Sequence, residues 1–214
     1  MSIVQLEGDP ANAQPAGLTI PRGSRLHTQK IGKLACKFRT CYPVTLWPVR
    51  VVNATLETPP YSGGLEAPAG TVAAIRIQLE TEGDLRFSQL EASRLRFYLN
   101  GDEALIGKLY EAMFHRALRV DLKPWGHESV TEHVTLEPQQ ALHQVGFGDD
   151  ESLLPHPPQS FLGYRLLTEL FTFPEKFSFV DIAGFQQAAA RGFGKRLEVV
   201  VYVDDVDPRL QAEM

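Results

Sequence analysis

The sequence predicts an α+β fold rich in β-structure, with mostly antiparallel sheets and two main helices packed on them. Two observations carry that expectation. Eight or more segments read as short strands, most of them alternating apolar and polar residues with a period of two. Only two segments, residues 103–118 and 161–173, hold a helical period over several turns. The expected division is a β-rich subdomain over residues 1–90 and an α+β subdomain over 91–214, or one compact unit in their place.

The stretch SIVQLEG alternates weakly and reads as a first strand, followed by loop composition over residues 8–17. Pro21 and Gly23 then mark a turn between two short strands. In LACKFRTC, Leu34, Cys36 and Phe38 face one way and Lys37 and Arg39 the other, which is the pattern of a half-buried strand. Pro43 and Pro48 cannot donate to a ladder, so the segment is expected to start as an edge or a bulged strand and to settle into regular pairing only after Val49. AAIRIQLE and RLRFYLNG are strands, and the turn at Asn100 and Gly101 leads to Asp102 as a helix N-cap. The helix after it carries Leu105, Ile106, Leu109, Tyr110, Met113 and Phe114 on about half its circumference.

ALRVDLKPWG and ESVTEHVTLEP read as two strands joined near Pro124, Trp125 and Gly126, and residues 141–159 read as a loop. The second helix is expected to start from Ser160 as N-cap and to stop near Phe173, because the residue before Pro174 is pushed out of the helical region. Its residues Leu162, Leu166, Leu167, Leu170 and Phe171 span an arc of roughly 200°. So wide an arc predicts structural core between two layers. One layer is this domain's sheet, and the other is a second subdomain or a neighbouring subunit. Burying six or seven such side chains gives about 12 to 14 kcal/mol of gross stabilisation before chain entropy is subtracted. KFSFVDI resumes strand alternation, GFQQAAARGFGK holds one helical turn, and RLEVVVYVDD is a strand buried on both faces.

With 214 residues the chain is long enough for a substantial core, and 43% hydrophobic with 22% charged residues is ordinary globular usage. A net charge of −5 argues against a nucleic-acid binder. The basic cluster Lys30, Lys33, Lys37 and Arg39 reads as the solvated side of a strand region. No apolar run approaches the roughly eighteen residues of a membrane span, so no membrane insertion is expected. Neither does MSIVQLEGDP have the pattern of a secretory signal, which predicts a cytoplasmic protein. Cys36 and Cys41 are expected as free thiols, and the sequon at Asn53 carries no meaning without secretion.

The sequence offers little chemistry. It has no G-x-S-x-G elbow and no H-E-x-x-H, and its Gly-x-Gly pairs open no long helix after a strand. His127 and His133 share a strand face but lie about 20 Å apart, too far to hold one metal ion with Glu128 or Glu132. Asp149 with Asp150, and Asp204 with Asp205, are adjacent on extended chain and diverge. Asp204, Asp205 and Asp207 lack the glycine-turned loop of a calcium site and read as an acidic solvated tail. No catalytic residue, metal or cofactor is therefore expected. Trp47 between apolar runs reads as core. Trp125 in a proline–glycine turn, and Phe147 and Phe193 in glycine-flanked loops, read as exposed aromatics of a partner interface.

Four stretches, MSIVQLE, YPVTLWPVRV, RLRFYLNGDEALIGKLYE and FLGYRLLTELFTFPEKFSFVDI, in this order over nearly the whole chain, resemble the TssF family of type VI secretion baseplate wedge subunits. That family is distantly similar to phage tail baseplate wedge proteins. The resemblance implies a non-enzymatic scaffold with TssG, TssK, TssE, the VgrG hub and a second TssF copy as partners, assembled at the cytoplasmic face of the inner membrane. Family members are longer, so the chain looks like a central piece. The competing expectation is a stand-alone β-rich ligand-binding module or hydrolase using Trp125, His127 and the Asp149–Asp150 loop. On the scaffold reading Leu166→Asp unfolds the domain, while Trp125→Ala or Phe193→Ala leaves it folded and weakens assembly.

Overall fold

The last strand of the chain lies in the middle of the largest sheet. In this computed structural model β12 (Arg196–Val203) pairs with β6 (Ala73–Thr81) on one side and β8 (Ala117–Pro124) on the other, both antiparallel. Beyond them lie β5 (Val49–Glu57) and β9 (Val134–Leu136), giving the order β5-β6-β12-β8-β9. The structure describes residues 1–28, 35–63, 65–126, 132–153, 159, 161–207 and 210; Leu162 is described in its backbone alone.

A second sheet has the order β10-β11-β7, built from β7 (Arg94–Tyr98), β10 (Leu142–Gln144) and β11 (Phe179–Ala183). Near the start of the chain β1 (Leu18–Ile20) pairs with β4 (Val44–Leu46), and β2 (Arg25–His27) with β3 (Lys37–Arg39). The helices are α1 (Glu103–His115), α2 (Pro138–Ala141), α3 (Leu162–Thr172) and α4 (Phe185–Ala190). The architecture is the β-rich α+β fold that the period-two segments predict, with antiparallel pairing throughout the described residues. The five-stranded sheet takes β5 and β6 from before residue 91 and β8, β9 and β12 from after it, so one sheet joins both halves of the chain.

The core fills the space between the two sheets and α1. Val199, Val201 and Val203 of β12 join Ile75 and Leu79 of β6, Val120 and Leu122 of β8, Ile182 of β11 and Leu109 and Met113 of α1. The other face of β12 is buried too, though by polar means. Arg76 grips Glu198 through Nε and Nη2 at 2.8–3.0 Å and Glu57 through Nη1 at 2.8 and 2.9 Å. Tyr61, Leu65 and Ala67 cover the neighbouring Ala74, Val200 and Tyr202. As expected, α1 starts at Asp102, whose carboxylate accepts from the Leu105 N–H at 2.8 Å.

Several local expectations change. Residues 2–8 form no strand. The strands flanking Pro21 and Gly23 exist but pair elsewhere, β1 with β4 and β2 with β3. The β2–β3 ribbon has no layer over it, so all of β3 is exposed, including Phe38. Leu34, Lys30 and Lys33 lie outside the described residues. Residues 141–144, expected as loop, form the end of α2 and β10, and Pro138, expected at the end of a strand, starts α2.

The largest correction concerns α3. Its apolar arc was expected as core, yet Leu167 is 53% exposed, Leu170 45% and Phe171 85%, and Leu166 is half-buried. The side chain of Leu162 and the expected N-cap Ser160 lie outside the described residues. The side turned inward carries Arg165 and Glu169, 6% and 2% exposed. The reason is what lies beneath. In place of a sheet, α3 rests on the backbone of loop 146–153 and on the 3-10 turn Pro174–Phe177. Buried loop backbone needs hydrogen-bond partners. Arg165 donates to the carbonyls of Phe147, Gly148 and Asp149 at 3.0–3.3 Å. Glu169 accepts from the Leu153 N–H at 2.8 Å and from the ammonium of Lys176, which is itself 1% exposed.

Phe193 is the second correction. Expected at an interface, it is fully buried in the main core. Gly192, at φ +75°, ends α4 in the left-handed region. Its N–H bonds Ala189 O at 2.9 Å and the Phe193 N–H bonds Ala188 O at 3.3 Å, a Schellman motif. The residue after such a glycine packs back on its own helix, which drives the Phe193 ring inward.

Two outcomes follow for chemical denaturation monitored by fluorescence. Phe193→Ala costs about 3–5 kcal/mol, since it empties a fully buried aromatic site. Lys176→Ala strands the Glu169 carboxylate and costs about 3 kcal/mol or more, whereas Phe171→Ala stays within about 0.5 kcal/mol of the parent.

Candidate partner-docking groove

Between α1 and α3 runs an apolar groove of about 570 Å³. Ile106 and Tyr110 of α1 form one wall and Leu166, Leu167 and Leu170 of α3 the other. Tyr98 and Phe177 contribute below, and Phe147 stands at one end against Phe177, their ring centroids 5.0 Å apart. The α3 wall runs on into the rest of the outward apolar face, where Phe161 and Tyr164 are 71% and 69% exposed and in edge-to-face contact.

Each wall is set by local sequence. On α1, residues 103, 106, 107 and 110 recur at helical spacing and stand off the stripe of Leu109, Ala112 and Met113 that meets the core. On α3, the buried Arg165 and Glu169 fix the rotation of the helix, and Leu166 and Leu170 follow each by one position, at the edge of the groove. The loop under α3 is braced in turn. Glu151 accepts from the N–H groups of Gly146 and Gly148 at 2.7 and 3.1 Å, and it pairs with Arg96 at 3.1 Å. Arg96 also holds Asp181 of β11 at 2.7 Å. Gly146, at φ +99°, lies where a Cβ would come 3.2 Å from both Lys176 O and the Phe177 ring.

The groove's polar content is small. Glu103 and Glu175 are the ionisable acids that line it, and no Lys, Arg or His does so among the described residues. The Tyr110 hydroxyl is buried without a hydrogen-bond partner, and burial pushes its pKa up to about 12. With no nucleophile, base or metal ligand set among these residues, the arrangement suits shape-complementary apolar contact.

The aromatics singled out in the sequence separate here. Phe147 is 43% exposed and belongs to the groove. Trp125 lies elsewhere, half-buried at the end of β8, where its indole N–H donates to Leu79 O at 3.0 Å and its ring carries the Arg196 guanidinium 5.1 Å away. Trp47 packs against the main core. His127 and Glu128 lie outside the described residues. Asp149 and Asp150 form a 3-10 turn with Glu151 beneath α3, in contact with Arg165 and Arg22 and not with the Trp125 region. Asp205 and Asp207 make ion pairs with Arg116 and Lys108. No group of three or more His, Cys, Asp or Glu side chains among the described residues is placed to hold a metal ion. None of the described helices is long and apolar enough to cross a membrane.

The exposed α3 face and its groove escaped sequence reasoning because periodicity groups residues on a face without saying which side that face takes. A signal was present in Arg165, Glu169 and Lys176, three charges spaced by four and seven residues beside the apolar arc.

Comparison with known proteins places this architecture. The family model for "Type VI secretion system, TssF" matches residues 1–214. The type VI secretion system component TssF1 of Pseudomonas aeruginosa is 35% identical over 223 residues, an alignment covering 99% of this chain and 34% of that protein. A chain in the cryo-electron microscopy structure of the type VI secretion TssK-TssF-TssG baseplate subcomplex superposes with a TM-score of 0.73 at 23% identity, over 92% of this chain and 35% of that one. The chain thus spans about a third of the length of the relatives it matches. Matched along its whole length by the family model, the chain belongs to the TssF family of type VI secretion systems.

Proposed function

We propose that this chain is a structural, non-enzymatic part of a type VI secretion baseplate, a wedge scaffold that works through protein–protein contacts. The observation that carries the reading is the outward apolar face of α3, from Phe161 to Phe171, continuous with the groove against α1. Exposed apolar patches rimmed by polar residues mark interaction sites. Here five large side chains, Phe161, Tyr164, Leu167, Leu170 and Phe171, face solvent along three turns of one helix.

The partners are those of the similar complex, TssK and TssG, with a docking face on α3 and Phe147 at its edge. TssE, the VgrG hub and a second TssF copy are further candidates from the family resemblance, and the setting is the cytoplasmic face of the inner membrane. Trp125 is a weaker interface candidate than Phe147, since its ring and its N–H are already engaged within the chain.

Co-expression of the chain with TssG and TssK from the same secretion system, followed by affinity capture, tests this. The chain co-purifies with at least one of them. Leu167→Glu combined with Phe171→Glu lowers capture about tenfold or more while the melting temperature stays within a few degrees, because both side chains are exposed. A folded chain that captures neither partner, or a double variant that captures as well as the parent, contradicts the proposal.

A further inference from the structure

The groove's electrostatics narrow what it accepts. Among the described residues the two side chains on its lining that are charged at neutral pH, Glu103 and Glu175, are both acids. The cations on the elements packed around it are engaged elsewhere: Lys176 with Glu169, Lys108 with Asp207, and Arg165 with the carbonyls of loop 147–149. Glu103 sits in the first turn of α1 and Glu175 in the 3-10 turn after α3, and both are exposed. The groove is therefore apolar within and negative at its rim.

Two further observations bear on the occupant. The buried Tyr110 hydroxyl is a donor that no group among the described residues satisfies, and its raised pKa keeps it protonated at any physiological pH. Gly107 stands mid-helix on the α1 wall with open space where a Cβ would point. A glycine there costs about 1 kcal/mol of helix stability relative to alanine, and it leaves room for another backbone to come close. Leu167 and Leu170 line the groove, and the exposed Tyr164 and Phe171 continue the apolar face of α3 outside its lining, so an occupant that covers the whole face is longer than the groove.

We propose that this groove is a helix-in-groove site for a partner segment that is apolar on one face, carries Lys or Arg on the flanks of that face, and offers a hydrogen-bond acceptor to Tyr110. The inference rests on the scaffold reading and adds the chemistry of the partner. A second copy of this chain is a poor occupant. Each copy carries a net charge of −5, and groove-to-groove pairing brings Glu103 and Glu175 of one copy against those of the other.

The test uses two fluorescein-labelled peptides of about 15 residues with the same leucines at helical spacing. One has lysine at its flanking positions and the other glutamate. Fluorescence anisotropy with the chain gives binding about tenfold or more tighter for the lysine peptide, weakening from low to physiological salt. Glu103→Lys with Glu175→Lys reverses the preference. Leu170→Glu removes binding of both peptides at an unchanged melting temperature, and Tyr110→Phe weakens the lysine peptide several-fold. Equal binding of the two peptides, or a preference that the double charge reversal leaves unmoved, overturns the inference. A dimer seen by sedimentation and abolished by Leu170→Glu assigns the groove to a second copy and also overturns it. If TssG or TssK capture depends on Leu167 and Phe171 while the peptides fail to discriminate, the scaffold reading stands and this inference alone falls. If capture is independent of those residues, the scaffold's docking face itself is wrong.

Discussion

The buried contact between Glu169 and Lys176, with Arg165 beside it, decides how this molecule meets its surroundings. Three charged groups lie almost completely out of water at the base of α3. Such groups are tolerated only with partners, and each has them: Glu169 and Lys176 in one another, Arg165 in three backbone carbonyls, and Glu169 also in a backbone N–H. The arrangement leaves α3 one rotation about its own axis. Turning the apolar stripe inward would put Arg165 and Glu169 into solvent and leave Lys176 and the loop backbone beneath without their partners. A helix that sequence pattern alone would bury is thereby held with its greasy side outward. Exposing five large apolar side chains is unfavourable in an isolated chain. Another surface covering them would remove that cost, which is the physical ground of the assembly role proposed above.

The rest of the fold supplies a rigid base for that face. β12 sits between β6 and β8 with apolar residues toward the core and Glu198 gripped by Arg76 on the far side, so the middle and last thirds of the chain are locked together. The second sheet carries loop 146–153 through Arg96, which bridges Asp181 of β11 and Glu151 of the loop. α3 stands on the loop. The chain of contacts from sheet to loop to helix is polar at each step. It therefore orients the helix by directional bonds, where apolar packing would permit sliding.

Much of this fold was legible in the sequence, and the misses share a cause. Alternation placed β6, β7, β8 and β12 well, Asp102 marked the start of α1, and Pro174 marked the end of α3. These are local signals tied to backbone chemistry. What periodicity lacks is the identity of the opposing surface. For α1 that surface is apolar core under Leu109 and Met113, with Leu105 and Phe114 against it, and the expectation held there, though Ile106 and Tyr110 turn to the groove; for α3 it is loop backbone and the expectation was inverted. Phe193 shows the same limit at smaller scale. A ring between two glycines looks like a loop tip until the Schellman geometry of Gly192 turns it into the core. The short β10 exists only through its pairing, and three residues carry too little pattern to announce it; the strands β2 and β3 were announced, but not that they pair with each other. The four quoted stretches pointed to the TssF family although none is a catalytic signature, because their order along the chain is itself specific.

The claim on which this account turns is that α3 presents its apolar face to solvent in the isolated chain. Hydroxyl-radical footprinting read by mass spectrometry measures it directly, residue by residue. Rapid oxidation of Phe161, Tyr164, Leu167 and Phe171 is expected, with Phe185 and Phe193 protected as core aromatics. Protection of Phe171 and Leu167 at the level of Phe193, in a monomeric sample, would contradict it.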